Sequence, residues 1–126
     1  MAEAWQSRSD RPTPVLPLVH FRINEQLERL KQEPTWRGGD HNAITLTKEP
    51  TLRVVLIAMK KGATLREHQT SGPITIQAVS GSLRLSAGGQ VLELGPREVA
   101  IIESAIDHEV QALEESALLV TLVRST

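Results

Sequence analysis

The chain contains no cysteine and no tyrosine, and its few aromatic residues are confined to the N-terminal part: Trp5, Phe21 and Trp36. Without cysteine there is no disulfide and no thiolate metal ligand. The core is therefore expected to consist of Val, Leu, Ile and Ala. Sugars and exposed bases are commonly held by stacking on aromatic rings, and the rest of the chain offers none for that purpose.

Charge of one sign and long apolar runs are also lacking. The formal net charge is −1, with acidic and basic residues interspersed, so no field attracts nucleic acid or an anionic membrane. No apolar run approaches the ~18–20 residues that span a bilayer. Residues 1–12 lack the apolar centre of a signal peptide. These features predict a cytoplasmic protein.

The length of 126 residues suits one compact domain. Residues 1–14 are polar and rich in proline near their end, which predicts a flexible tail, and residues 15–126 are expected to form a single domain. The apolar segment 15–23 is interrupted by Pro17 and is interpreted as an edge strand, where proline is tolerated.

One short helix is predicted before the main body of the domain. Asn24 is expected as its N-cap, and the helix should run to Glu33, where Pro34 stops it. Spacings of four and three give it one apolar stripe, formed by Ile23, Leu27 and Leu30. Residues 36–40 are interpreted as a loop.

From residue 43 onward the pattern indicates β-structure. Short apolar and β-branched runs alternate with turn residues and occupy 43–47, 52–59, 64–69, 73–79, 82–86, 90–94, 97–102, 107–112 and 117–123. Gly88-Gly89 marks the clearest hairpin, since adjacent glycines supply the positive φ that tight hairpin turns need. Strands of this length and spacing predict a sandwich or a barrel.

The segment 62–81 resembles the first signature of the cupins. That signature runs Gly, five residues, His-x-His, three or four residues, Glu, six residues, Gly, and here Gly62, His68 and Gly81 fall in place. Thr70 stands where the second histidine belongs, and Ile74 stands where the glutamate belongs.

A second stretch, 96–112, resembles the other cupin signature. Its histidine is His108, while Arg97, Glu98 and Asp107 replace the customary Gly, Asp and Pro. The likeness covers roughly residues 43–123. It implies an all-β, cupin-type double-stranded β-helix barrel (a jelly roll) with a short N-terminal helix and a barrel core at about 43–123.

The cupin register implies which side chains face the interior, since residues two apart in a strand share a face. Glu67, Asp107 and Glu109 are then expected to face outward. The expected interior is a largely apolar, ligand-binding pocket that contains His68, Thr70, Ile74, Ile76, His108 and Val110.

The ligand count argues against the usual metal of the family. A cupin site uses three His and one Glu, and only His68 and His108 remain here, so no tightly held cofactor is expected. A weakly bound divalent metal (Zn, Fe, Ni or Mn) is the alternative, and His41 or Gln77 would have to complete its site. Otherwise, His20 and His41 are expected at the surface.

Three hypotheses of function follow. The first is a small-molecule binding or sensing barrel with a degenerate metal site. The second is a metal-dependent cupin enzyme, a dioxygenase or isomerase, with His68 and His108 as ligands. The third is a structural or regulatory interaction protein whose barrel interior is filled. Lys48 and Arg53 are interpreted as part of a solvated face. Unprotected sheet edges, and the resemblance itself, predict a homodimer.

Overall fold

The structure is a computed structural model that describes residues 17–67 and 70–124. The predicted tail over 1–14 lies outside the described residues. The edge strand expected over 15–23 is wrong for its described part, because residues 17–22 form no strand. Phe21 instead packs, half-buried, beside a cluster on the outer face of a sheet.

Helix α1 spans Ile23–Gln32 and confirms the predicted helix. Its N-cap residue is Arg22, which makes no side-chain cap, so the expectation that Asn24 caps the helix is wrong. The apolar stripe works as predicted: Leu30 is fully buried, and Ile23 and Leu27 pack half-buried beside it.

A second helix, α2, spans Pro34–Gly38, where a loop was expected. Pro34 at its start suits a helix, because proline lacks only an N–H that would be unpaired there. Burial of Trp36 holds this short helix on the protein. The Nζ atoms of Lys31 and Lys60 lie 5.8 and 5.0 Å from the centroid of the Trp36 ring and cover it.

The strands confirm the sequence pattern, run for run. They are β1 His41–Lys48, β2 Leu52–Met59, β3 Thr64–Glu67, β4 Ile74–Ser80, β5 Leu83–Ala87, β6 Gln90–Leu94, β7 Val99–Ile102, β8 His108–Ala112 and β9 Ser116–Val123. Gly88 and Gly89, with φ of 56° and 80°, form the predicted hairpin between β5 and β6.

The strands form two antiparallel sheets. One has five strands in the order β1-β2-β9-β4-β7, and the other has four in the order β3-β8-β5-β6. Neighbours in space are distant in sequence, as in a jelly roll. The two sheets enclose one apolar core, to which every described strand contributes.

A second apolar cluster lies outside the barrel. Leu30 and Trp36 of the helices pack against Leu56 and Ala58 of β2, on the outer face of the five-stranded sheet. The alternate residues of β2 face the barrel core. This strand is therefore apolar on both faces, which explains why it reads as a continuous hydrophobic run.

The side chain of Asn42 links the helices to the sheet through hydrogen bonds. Its amide nitrogen donates to the Leu30 carbonyl oxygen and to Glu33 Oε1, both at 2.9 Å, and its Oδ1 accepts from the Ala43 N–H at 2.9 Å. These bonds satisfy a side chain that is only 1% exposed.

Strands β6 and β7 end their sheets side by side without pairing to each other, so the barrel has an open seam. In the described part of the chain, no helix has the length and apolar character needed to cross a membrane.

Candidate functional site

His108 begins β8 at one end of the barrel, called here the mouth. The residue is 3% exposed and shares the inner face of the sheet with Val110 and Ala112. Its Nδ1 lies 3.2 Å from the Ile106 carbonyl oxygen, which fixes the ring relative to the preceding loop. The expected inward orientation of His108 and Val110 is confirmed by their burial.

An open cleft, called the His108 cleft, lies at the mouth and has a volume of about 650 Å³. Its lining combines the β5–β6 hairpin with the loop before β8. An ion pair from Arg66 Nε to Glu109 Oε1, 2.7 Å long, stands at its rim. The cleft is lined by Arg66, Ser86, Ala87, Gly88, Gly89, Gln90, Val91, Ala105, Ile106, Asp107, His108 and Glu109.

A smaller cavity, called the seam slot, lies between β6 and β7 and has a volume of about 280 Å³. Leu92 faces inward from β6 but is 42% exposed, because no neighbouring strand covers it. The slot is lined by Leu85, Ala87, Gly88, Gln90, Leu92, Ala100, Ile101, Ile102, Glu103 and Ile106. It shares Ala87, Gly88, Gln90 and Ile106 with the His108 cleft, so the two spaces adjoin at the mouth.

The other residues predicted for the pocket lie elsewhere. Ile74, Ile76 and Val110 are fully buried in the core between the sheets and line neither described cavity. Thr70 is half-buried, and its hydroxyl donates to the Gly72 carbonyl oxygen at 2.7 Å. His68 lies outside the described residues, so its role stays a prediction.

The end of β3 pairs with the start of β8. In the β3–β8 ladder, position 67 is directly opposite His108. Leu65, two residues earlier, is buried in the core. The side chain of Glu67 lies outside the described residues, so the expectation that it faces outward stays a prediction. Glu109 does point outward, where it pairs with Arg66.

The described residues do not assemble a metal site of the cupin kind. Nowhere in residues 17–67 and 70–124 do three or more His, Cys, Asp or Glu side chains come together as a metal would need. The hydroxyl of Thr70 is engaged with the backbone, and the alkyl chain of Ile74 has no donor atom. The usual donor set is thus not reproduced at these two positions.

His41 and Gln77 are not placed to complete a site with His108. His41 is opposite Met59, at the end of the barrel away from the mouth, and Gln77 is exposed on the outer face of its sheet. His41 is partly exposed, with Nδ1 2.8 Å from Oδ1 of the exposed Asp40.

Arg53 is a functional candidate that sequence reasoning assigned to a solvated face. It is only 6% exposed and lies two residues before Val55, on the inner face of β2. Burial and, secondarily, the positive charge of Arg124 lower the pKa of its guanidinium. The sequence does contain a signal for this burial: Arg53 lies two residues before Val55 in β2, and residues two apart in a strand share a face.

Comparison with known proteins identifies the fold. No family model and no curated protein matches the chain. A solved cupin superfamily protein from Desulfitobacterium hafniense is 15% identical, with a TM-score of 0.66 over 95% of this chain and 96% of that one. The cupin domain of an XRE family transcriptional regulator from Enterobacter cloacae is 13% identical, with a TM-score of 0.63 over 69% and 99%.

Salicylate 1,2-dioxygenase from Pseudoaminobacter salicylatoxidans is also similar. It is 17% identical, with a TM-score of 0.72 over 82% of this chain, and the matched region is 32% of the dioxygenase chain. The resemblance inferred from the two signatures is therefore confirmed for the fold: the chain is a small cupin barrel with a short N-terminal helical layer.

Proposed function

We propose that this chain is a small-molecule binding or sensing cupin with a degenerate metal site. The observation that carries the proposal is the composition of the mouth, where a buried histidine stands in the wall of an open cleft that adjoins an apolar slot. Ligand sites typically combine a mostly apolar surface with a few polar groups that fix orientation.

The two adjoining spaces favour an amphipathic ligand. In the His108 cleft, the imidazole can donate or accept a hydrogen bond. In the seam slot, Leu85, Leu92, Ile102 and Ile106 offer a compact apolar group a surface of its own size. The ligand that fits best has a small ring or branched alkyl group and one hydrogen-bonding group beside it.

The packed interior supports binding at the mouth over binding deep in the barrel. Ile76 and Val110 come from the two opposing sheets and are both fully buried in the core. A ligand between them would have to separate the sheets. Binding at the mouth needs no separation of the sheets. Loops that connect the strands meet there.

The experiment is nuclear magnetic resonance of the full chain, screened against a fragment library of aromatic and alicyclic alcohols and amides. Binders should shift the amide resonances of residues 86–92 and 100–109. His108→Gln should weaken the best binder about tenfold, since a lost hydrogen bond to a charged or polar partner is worth about 1.4 kcal/mol. Leu92→Asp should weaken it as well.

Val123→Ser is the matched control, because Val123 is an exposed apolar residue that lines neither cavity. It should leave the affinity unchanged. Shifts confined to other surfaces, or equal affinity in His108→Gln and the parent chain, would contradict the proposal.

A further inference from the structure

Three cationic residues lie at the mouth end of the five-stranded sheet. Lys48 is directly opposite Arg53 in the β1–β2 ladder, and Arg53 is opposite Leu122 of β9. Arg124 comes directly after the end of β9, and its positive charge acts on Arg53. Since β2 and β3 are joined by a short turn, the start of β2 and the end of β3 lie at the same end of the barrel.

Arg53 is the buried member of this group, and its charge is not neutralised within the described chain. Its Nε is buried without a hydrogen-bond partner, and none of the described carboxylates forms an ion pair with it. Burying a cation without a counter-charge is costly, so buried cations are normally paired.

The surroundings of Arg53 add positive rather than negative charge. Arg124 is close enough for its charge to oppose that of Arg53, and its backbone N–H is held by the Thr51 carbonyl oxygen at 2.9 Å. Glu49, the acidic residue nearest in sequence, is exposed and makes no described ion pair. This end of the sheet therefore presents clustered cations, and no described carboxylate forms an ion pair with Arg53.

We propose that Arg53, with Lys48 and Arg124, binds an anionic group, a carboxylate or a phosphate, of a ligand that enters at the mouth. The planar guanidinium suits two parallel hydrogen bonds to either anion, and the flanking cations add attraction. This site stands on a different wall from the His108 cleft and does not depend on the function proposed above.

The test is thermal unfolding of the full chain in rising concentrations of inorganic phosphate or acetate, with chloride at equal ionic strength as the reference. A ligand that binds only the folded chain stabilises it by RT ln(1 + [L]/Kd), so the midpoint rises with ligand concentration. We expect the parent chain to be stabilised by at least one of the two anions beyond chloride. Phosphate alone would identify a phosphate site, and equal effects of both would identify a carboxylate-compatible site.

Arg53→Met keeps much of the side-chain volume and removes the charge, so it should weaken the apparent affinity at least tenfold. Arg124→Met, at an exposed position, should weaken it about threefold. Arg84→Met is the control, because Arg84 is exposed on the other sheet beside Glu93, and it should bind as the parent does.

The NεH resonance of Arg53 in the parent chain gives a reading that needs no variant: it should shift on titration with the stabilising anion. The proposal is overturned if neither anion exceeds chloride, or if Arg53→Met and Arg124→Met both retain the parent affinity. His108→Gln should retain it, which separates this site from the His108 cleft.

Discussion

Asn42 is the residue through which the helical layer and the barrel are joined by hydrogen bonds. Its side chain contacts the end of α1 from the start of β1, a place where the helix C-terminus leaves carbonyl oxygens without intrahelical partners. Losing it would remove three hydrogen bonds at the junction between the two layers.

We expect Asn42→Ala to lower the free energy of unfolding by about 2–3 kcal/mol, since it removes three hydrogen bonds worth about 0.5–1.5 kcal/mol each. Asn24→Ala is the matched control. Asn24 is exposed and does not cap α1, so its replacement should change stability by less than about 0.5 kcal/mol. Urea denaturation of both variants measures the difference, and equal losses would show that Asn24 caps the helix after all.

At this scale, the sequence predicts orientation well where alternation is regular. The inward orientation of Ile74, Ile76, His108 and Val110 follows from it and is confirmed by burial. Arg53 was misjudged because charge was given more weight than its position two residues before Val55.

Among the elements, the turn between β4 and β5 is set by close packing. Gly81 has φ of 81°, and a Cβ there would come 2.5 Å from the Glu115 carbonyl oxygen and still closer to Ser116 Oγ. Gly89, in the β5–β6 hairpin, has nearly the same φ of 80° but open space around it. Comparing substitutions at Gly81 and Gly89 therefore separates the cost of a positive φ from the cost of steric overlap.

Gly89→Ala should cost about 1–2 kcal/mol, the price of a left-handed backbone for a residue with a Cβ. Gly81→Ala should cost at least about 2 kcal/mol more, because the backbone of residues 115–116 must also move. Thermal unfolding of the two variants gives the comparison. Equal losses would mean that the turn relaxes freely around Gly81.

The elements were largely predictable because a turn residue marks almost every strand end. The nine strands and α1 follow from that punctuation and from apolar spacing. Helix α2 did not follow, since five residues are too few for a periodic pattern and its stability comes from burial of Trp36. The edge strand expected near Pro17 does not form in its described part, where Leu18 is exposed and Phe21 packs beside the helical cluster.

For the whole molecule, the unprotected edge is β7. Among the described edge strands, β1, β3 and β6 each carry a charged residue, whereas β7 reads Val-Ala-Ile-Ile. On its outer face, Val99 is 56% and Ile101 is 74% exposed. Natural edges are usually protected by charge, proline or a bulge, and a strand without them is suited to pairing.

We propose that two copies of the chain pair antiparallel through β7, with Ala100 opposite Ala100. Ala78 N–H donates to the Glu98 carbonyl oxygen, and antiparallel bonding alternates, so the amide groups of Val99 and Ile101 point to the free edge. In this register, the backbone of Val99 in one copy bonds to the backbone of Ile101 in the other, on both sides of the two-fold axis. Arg97 of each copy then lies opposite Glu103 of the other.

Light scattering should therefore give a dimeric mass at micromolar concentration. Arg97→Glu and Glu103→Arg should each weaken the dimer several-fold, and the double exchange should restore it, since like charges directly opposite are destabilising. Ile101→Lys should give a monomer, while Val91→Lys, on the β6 edge, should not. A monomeric parent chain, or a double exchange as weak as the single variants, would refute this register.

The two-sided burial of β2 has a consequence for how the protein opens. Its backbone lies between β1 and β9, with the barrel core beneath it and the helices above, so its amide hydrogens can reach solvent only when both layers come apart. Amide hydrogen exchange in β2 should then report global unfolding. Within one copy of the chain, the strands at the seam are each bonded on one side only, and β6 should exchange long before β2, so a ligand that closes the seam would be seen first as slower exchange there.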